Sequence, residues 1–260
     1  MVFPIADDNS DRIRTPYVNY ALIVANVLVF VGPQGFGENL KFTYALSCVP
    51  AEIVTGRDIV QPDEIVVDPI SQRRVLKPGL QPTPIPVYLT LLTSMFMHGG
   101  LGHLFGNMLF LWIFGDNIED KLGHLRYLLF YVVCGIAAGL AHVAATYAFG
   151  NNPLIPCLGA SGAISGVLGG YLLLFPLRRV TVILFRFLTD VPAYVAIGLW
   201  FLFQIINSLG AFGPGSAEGG VAYGAHIGGF LAGAALIHPF SFDLDHQDWD
   251  RPVPRRFYRC

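Results

Sequence analysis

The chain has 260 residues, 53% hydrophobic and 13% charged, with a mean hydropathy of +0.54 and a formal net charge of -2. So little charge excludes an ordinary soluble domain, whose surface needs more of it to stay solvated. No basic, aromatic-interleaved stripe marks a nucleic-acid partner, and Cys48, Cys134, Cys157 and Cys260 have neither metal-ligand spacing nor the pattern of a disulfide framework.

The apolar residues gather in six blocks, each read as a membrane span of roughly 20 residues. Residues 1–16 carry Asp7, Asp8 and Asp11, with no basic start and no small-residue cleavage site, so they read as a cytoplasmic segment rather than a signal peptide. The first span covers about 17–33, where Asn19 and Asn26 are expected to bond neighbouring helices. A long extracytoplasmic loop, about 34–87, follows; its stretch 39–55 reads as an amphipathic helix on the membrane surface and 57–85 as irregular. The second span, 101–115, is short and is expected either to continue past Asp116 or to borrow from the apolar stretch 86–97. His98, in the turn before it, reads as structural, and His142 in the third span, 127–148, is expected to bond a neighbouring helix. The remaining spans are 158–176, 191–209 and 221–238, so the six-span domain runs from 17 to 238. A polar cytoplasmic tail, 239–260, closes the chain, and no internal repeat is present.

Positive residues in short loops set orientation. Arg12 and Arg14 precede the first span, Lys121 and Arg126 follow the second, Arg178, Arg179 and Arg186 follow the fourth, and Arg251, Arg255, Arg256 and Arg259 follow the sixth. The loops 149–157 and 210–220 carry no Lys or Arg. That alternation predicts both termini in the cytoplasm, and the compact plan without a targeting segment fits a bacterial inner membrane. Cys48 and Cys157 then fall on the outer side, and whether they pair is open at this level.

Two strings carry chemistry: Gly159-Ala160-Ser161-Gly162 and Ala225-His226-Ile227-Gly228-Gly229. The orientation puts Ser161 and His226 at matching depth near the outer face, as a nucleophile and its base require. Gly162, Gly166 and Gly170 recur every four residues in the fourth span, as do Gly220, Gly224 and Gly228 in the sixth, where Gly229 and Gly233 add a pair. Such glycines alone would mark only close helix packing. A serine and a histidine on the packed stripes make a catalytic pair the better reading.

The string is not the nucleophile elbow of soluble hydrolases, because Ala163 stands where that motif needs glycine and no strand is expected before it. The nearest acidic residue along the sixth span is Glu218, two turns away, so the predicted unit is a dyad. Asn107 and His103, four apart and on one face of the second span, are candidate oxyanion donors. No metal or cofactor is required.

At these residues the chain resembles the rhomboid intramembrane serine proteases. The likeness covers roughly residues 15–238 and rests on four ordered motifs. They are Met97-His98-Gly99-Gly100 with His103 and Asn107, Gly115-Asp116-Asn117-Ile118-Glu119, the Ser161 string, and Ala225-His226 with Gly229 and Gly233. The resemblance implies an all-α, six-transmembrane-helix rhomboid-like bundle that cleaves transmembrane segments of other membrane proteins. By it, Ser161 is the nucleophile, His226 the general base, and His103, Asn107 and the Ser161 N–H the oxyanion hole, with Glu119 structural. Two positions depart from known members. Leu89-Thr90 stands where a Trp-Arg pair often anchors the first loop, and Ser165 where a tyrosine can stack on the histidine. Two other readings compete: a catalytically silent relative that binds transmembrane helices, and a small-solute transporter whose intramembrane polar groups line a pathway.

Overall fold

The computed structural model describes residues 2–67, 74–184, 187–211 and 222–242. Arg186, Glu218, Gly220, Cys260 and the tail beyond 242 lie outside the described residues. The chain opens with strand β1 (Val2–Asp7), then helix α1 (Tyr17–Val31). Where one surface helix is expected, two short ones form, α2 (Leu40–Ala45) and α3 (Pro50–Thr55). Pro50 opens α3 at a position whose N–H has no helical partner, and Gly56 closes it at φ 67°. A hairpin of β2 (Glu64–Val67) and β3 (Arg74–Lys77) crosses the stretch expected to be irregular.

After the single turn α4 (Thr90–Thr93), helix α5 (Leu101–Phe110) passes through a wide π turn, Leu111–Gly115, into α6 (Asp116–Leu122). The second apolar block therefore continues past Asp116 rather than borrowing from 86–97. Helix α7 (His124–Ala148) and helix α8 (Ser161–Leu174) follow. Next come β4 (Arg179–Leu184) and β5 (Phe187–Pro192), then α9 (Ala193–Ala211) and α10 (Tyr223–Ser241). The expectation of an all-α chain is corrected to a mostly helical one, because β1, β4 and β5 pair in the order β1-β4-β5, antiparallel throughout.

Among the described residues, one helix, His124–Ala148, is long and apolar enough to cross a membrane, with a mean hydropathy of 2.1. Tyr17–Val31, Ser161–Leu174 and Ala193–Ser208 are apolar but shorter.

Helix α8 is the axis of the core, buried from Gly162 through Tyr171. Glycine decides how α10 meets it. A Cβ on Gly229 would lie 2.1 Å from the Gly162 carbonyl oxygen, and one on Gly233 1.9 Å from that of Gly166, so the two backbones touch directly. One residue round the helix, Gly228 and Gly224 accept Ala141 and Ala145 of α7 in the same manner. The glycines of α10 thus form two ridges, one for each neighbour, and α10 is wedged between α8 and α7.

Polar groups lock the opposite end of the bundle from Ser161. Glu119, fully buried, accepts from Val18 N (2.9 Å) and Asn19 N (2.7 Å), two of the free N–H groups at the start of α1, and contacts His124 Nδ1 at 2.5 Å. Asn19 donates to the Leu111 carbonyl in the π turn (2.9 Å) and accepts from Tyr127 Oη (2.7 Å), joining three helices. Asn26 instead bonds its own helix at the Leu22 carbonyl. Asp7 accepts from Tyr171 Oη at 2.6 Å and Asn117 Nδ2 at 2.7 Å, and burial pushes its carboxyl up to about 7. Arg178 bonds Asn117 and pairs with Asp11, while Arg12 pairs with Asp116 at 2.6 Å.

Candidate active site

Ser161 is the first residue of α8, and the chain reaches it through a constrained turn. Gly159 has φ +123°, a conformation side chains rarely adopt, and its N–H donates to the Ser94 carbonyl at 2.8 Å. A Cβ there would come within 2.9 Å of the His103 ring, so the position is closed to other residues on both counts. Starting a helix at Ser161 leaves the first N–H groups of α8 without helical partners. Those donors and the serine hydroxyl share one end of the helix.

His226 lies in the first turn of α10, held by its N–H to the Ala222 carbonyl (3.2 Å). The backbone contact between the glycine ridges carries α10 to α8 closely enough that His226 Nε2 stands 2.8 Å from Ser161 Oγ. The two predicted residues, 65 positions apart, are thus hydrogen-bonded. Ser165 does not reach the imidazole: its hydroxyl donates back to the Ser161 carbonyl at 2.6 Å. The histidine ring is flanked instead by Trp200 of α9 (centroids 6.1 Å) and Tyr223 of α10 (6.3 Å, edge-on). Its other nitrogen, Nδ1, is 2.8 Å from Oε1 of Gln204. Sequence reading missed Trp200, Tyr223 and Gln204. A lone amide inside an apolar run, the signal that singled out Asn107, was present at Gln204 as well.

The pair opens into a cavity of about 1270 Å³ whose lining includes His103, Asn107, Trp200 and Gln204. Asn107 Nδ2 is buried and makes no hydrogen bond, so a donor stands unspent in that wall. His103 Nδ1 accepts from Gly99 N at 3.4 Å, an arrangement that leaves the ring proton on Nε2, the nitrogen nearest Gly159. His98 packs edge-on against His103 at 5.2 Å, with its backbone N–H and carbonyl both bonded to the Gln34 amide (3.0 and 2.9 Å). It supports the wall from behind. His142, also on the cavity lining, bonds Thr146 only through its carbonyl.

Of the predicted site residues, Ser161, His226, His103 and Asn107 meet at one cavity; Gly159 shapes the turn against the His103 ring; Gly162, Gly229 and Gly233 set the spacing of α8 and α10; and Glu119 sits at the far end of the bundle. Among the described residues no cluster of His, Cys, Asp and Glu could hold a metal ion. The first loop is sewn to the segment leading into Ser161, since Cys48 and Cys157 exchange backbone hydrogen bonds (2.9 and 2.8 Å) and Ala51 N donates to Pro153 O (2.9 Å).

A hydroxyl hydrogen-bonded to an imidazole, beside N–H groups free of helical partners, is an arrangement that nucleophilic chemistry can use. Residues 86–241 match the rhomboid domain. The chain is 32% identical over 154 residues to the mitochondrial rhomboid protein 1 of Saccharomyces cerevisiae, covering 59% of this chain and 42% of that one. It is 36% identical over 149 residues to the rhomboid protease GluP of Bacillus subtilis (57% and 26%), and 30% identical over 172 residues to the RHOMBOID-like protein 4 of Arabidopsis thaliana (64% and 39%). The chain spans less than half the length of each of these relatives.

Proposed function

The chain belongs to the rhomboid family, a family of membrane helical bundles, and from that premise we propose that it is an intramembrane serine endopeptidase acting through Ser161 and His226. The observation that carries the reading is the 2.8 Å contact between Ser161 Oγ and His226 Nε2 at the wall of a cavity that His103 and Asn107 also line.

In this mechanism Ser161 Oγ attacks a peptide carbonyl of the substrate while His226 Nε2 takes the hydroxyl proton. Negative charge develops on the carbonyl oxygen and is met by Asn107 Nδ2, His103 Nε2 and the Ser161 N–H. As the C–N bond breaks, His226 returns the proton to the departing amine, leaving an acyl ester on Ser161. Water, deprotonated by His226, then releases the acyl product and restores the hydroxyl.

Six spans, with both termini in the cytoplasm, account for the site's depth. Helix α8 has 14 residues, so it rises only about 21 Å in a hydrocarbon layer of about 30 Å. With its inner end at the cytoplasmic face, Ser161 lies below the outer surface. Irregular backbone and polar groups at that depth are tolerated only around a wetted cavity, which also supplies the hydrolytic water. Substrates are transmembrane segments of other proteins that enter the cavity from the bilayer and unwind locally. The setting is a cell membrane, and the compact six-span plan favours a bacterial inner membrane.

Purified protein should react with a fluorophosphonate probe and cleave a model transmembrane substrate. Ser161→Ala and His226→Ala should each lose both activities while keeping the wild-type melting temperature, because the two residues act as one unit. Residual cleavage of more than about a few per cent in Ser161→Ala would remove the nucleophile assignment. A protein that binds transmembrane helices without labelling would be a silent relative, and one that moves solute would be a transporter.

A further inference from the structure

We propose that Gln204 is a positioning residue for the general base, holding His226 in the tautomer and rotamer that accept the Ser161 proton. The inference rests on the dyad reading above and names a third member of that site.

It begins with proton placement. For His226 to act as a base toward Ser161, Nε2 must carry a lone pair, so the single proton of the neutral ring must reside on Nδ1. A protonated Nδ1 in a buried setting needs an acceptor, since an unpaired donor there costs about 1–3 kcal/mol. The acceptor at hand is Gln204 Oε1, 2.8 Å away, on a residue only 6% exposed. With the opposite tautomer, Nε2–H would point at Ser161 and Nδ1 would need a donor. Turning the Gln204 amide over would supply one, so the glutamine is informative about the proton only together with the serine on the other side. The two contacts of 2.8 Å, one at each ring nitrogen, are mutually consistent in one arrangement that can catalyse: Ser161 Oγ–H to Nε2, and Nδ1–H to Gln204 Oε1.

Rotamer control follows from the same helix. Trp200 and Gln204, four residues apart, lie on one face of α9, the first against the ring and the second at its edge. Rotating the imidazole about its ring axis would break the Gln204 bond at the same time as the Ser161 bond. An amide suits the depth of the site better than a carboxylate: a buried carboxylate carries a desolvation penalty of several kcal/mol, whereas a neutral carbonyl fixes the same proton without an ion to desolvate. The price is weaker support for the imidazolium formed in the transition state, and the Ser161–His226 pair thereby resembles a triad in geometry though not in charge.

The test compares wild type with Gln204→Leu, which has no acceptor, and Gln204→Glu, which keeps an oxygen at the same reach. Each is measured for kcat and KM on a model transmembrane substrate, for fluorophosphonate labelling rate, and for melting temperature. Gln204→Leu should lose about 10- to 100-fold in kcat and in labelling rate with KM within about twofold, the scale of a lost orienting partner, and Gln204→Glu should recover most of that loss. A Gln204→Leu enzyme with wild-type kcat overturns the proposal while leaving the dyad in place, as does a Gln204→Glu enzyme that keeps the wild-type melting temperature and is no better than Gln204→Leu. Wild type that labels no faster than Ser161→Ala overturns the dyad, and this proposal with it. Should Gln204→Leu fail to fold, histidine-¹⁵N-labelled wild type decides the matter directly. Against the His226→Ala spectrum, the His226 Nδ1 signal must be that of a protonated nitrogen, and an unprotonated Nδ1 signal refutes the proposal.

Discussion

Adding one methyl group at Gly233 should separate the serine from its histidine without touching either. In Gly233→Ala the new Cβ would lie 1.9 Å from the Gly166 carbonyl oxygen and 2.5 Å from its carbon. These are backbone atoms in the middle of α8, so no side chain can swing aside. An ordinary contact needs about 3.4 Å, which forces α8 and α10 apart by roughly 1.5 Å at that level. Gly233 is seven residues past His226, about 10 Å along α10, and a near-rigid helix passes much of the displacement on. The Ser161–His226 contact would stretch from 2.8 Å to about 4 Å, beyond hydrogen-bond reach. A misplacement of about 1 Å is enough to cost roughly 100-fold, and overpacking should cost about 1–3 kcal/mol of stability. The assay is the fluorophosphonate labelling rate beside the melting temperature, with Gly198→Ala as control. Gly198 is also within a helix, but a Cβ there meets nothing within 4 Å, so that variant should label normally and melt no lower. Wild-type labelling in Gly233→Ala would refute the claim that backbone contact sets the dyad distance.

Three further outcomes follow from the same geometry. Asn107→Ala should slow turnover about 100- to 1,000-fold while still labelling, because its unspent Nδ2 is proposed to bind charge rather than hold structure; loss of folding instead would make the residue structural. Asp7, ordinarily near 3.8, is pushed up to about 7 by burial, with Asp116 and Asp8 raising it further and Tyr171 and Arg178 opposing. Its docking is therefore strongest when protonated, fully so below about pH 4, and weakens as pH rises through 7. The protection of β1 amides, taken relative to the intrinsic base-catalysed exchange rate, should fall from about pH 4 up through 7 in wild type and stay level in Asp7→Asn. Cys48 and Cys157 face each other in a hydrogen-bonded antiparallel pair, for which Cα atoms are about 5.5 Å apart, inside the range a disulfide spans. Oxidised glutathione should join them, each pair of thiols reducing one glutathione disulfide, with a mass loss of about 2 Da that is absent in Cys48→Ser; an unchanged mass counts against it.

Helices α1, α7, α8, α9 and α10 were legible because each fills an apolar block, and their ends fall within three residues of the block's. Ser161 and His226 were legible because both are polar, sit among glycines, and fall at one depth once basic loops orient the chain. What escaped depends on partners distant in sequence. β1 is six residues with a proline and has no period of its own; it exists as a strand because β4 lies beside it. The run Val180-Thr181-Val182-Ile183 is rich in β-branched residues, yet between two apolar blocks it passed for a connecting loop. The π turn at Leu111–Gly115 shifts which carbonyl meets Asn19, a one-residue change of phase that composition does not encode. Gln204 was hidden by its neighbours: in an apolar span one amide reads as noise until its helix is turned toward His226.

The strand that opens the chain also has a consequence in time. β1 pairs with residues made some 180 positions later, and at about 5–20 residues per second a ribosome needs about 10–35 s to supply them. Through that interval Val2–Asp7 has no sheet to join, and Tyr171 does not yet exist to receive Asp7. Val2–Asp7 must therefore wait and dock only after α8 and β4 have been laid down, which makes an early-made segment a fastening applied late.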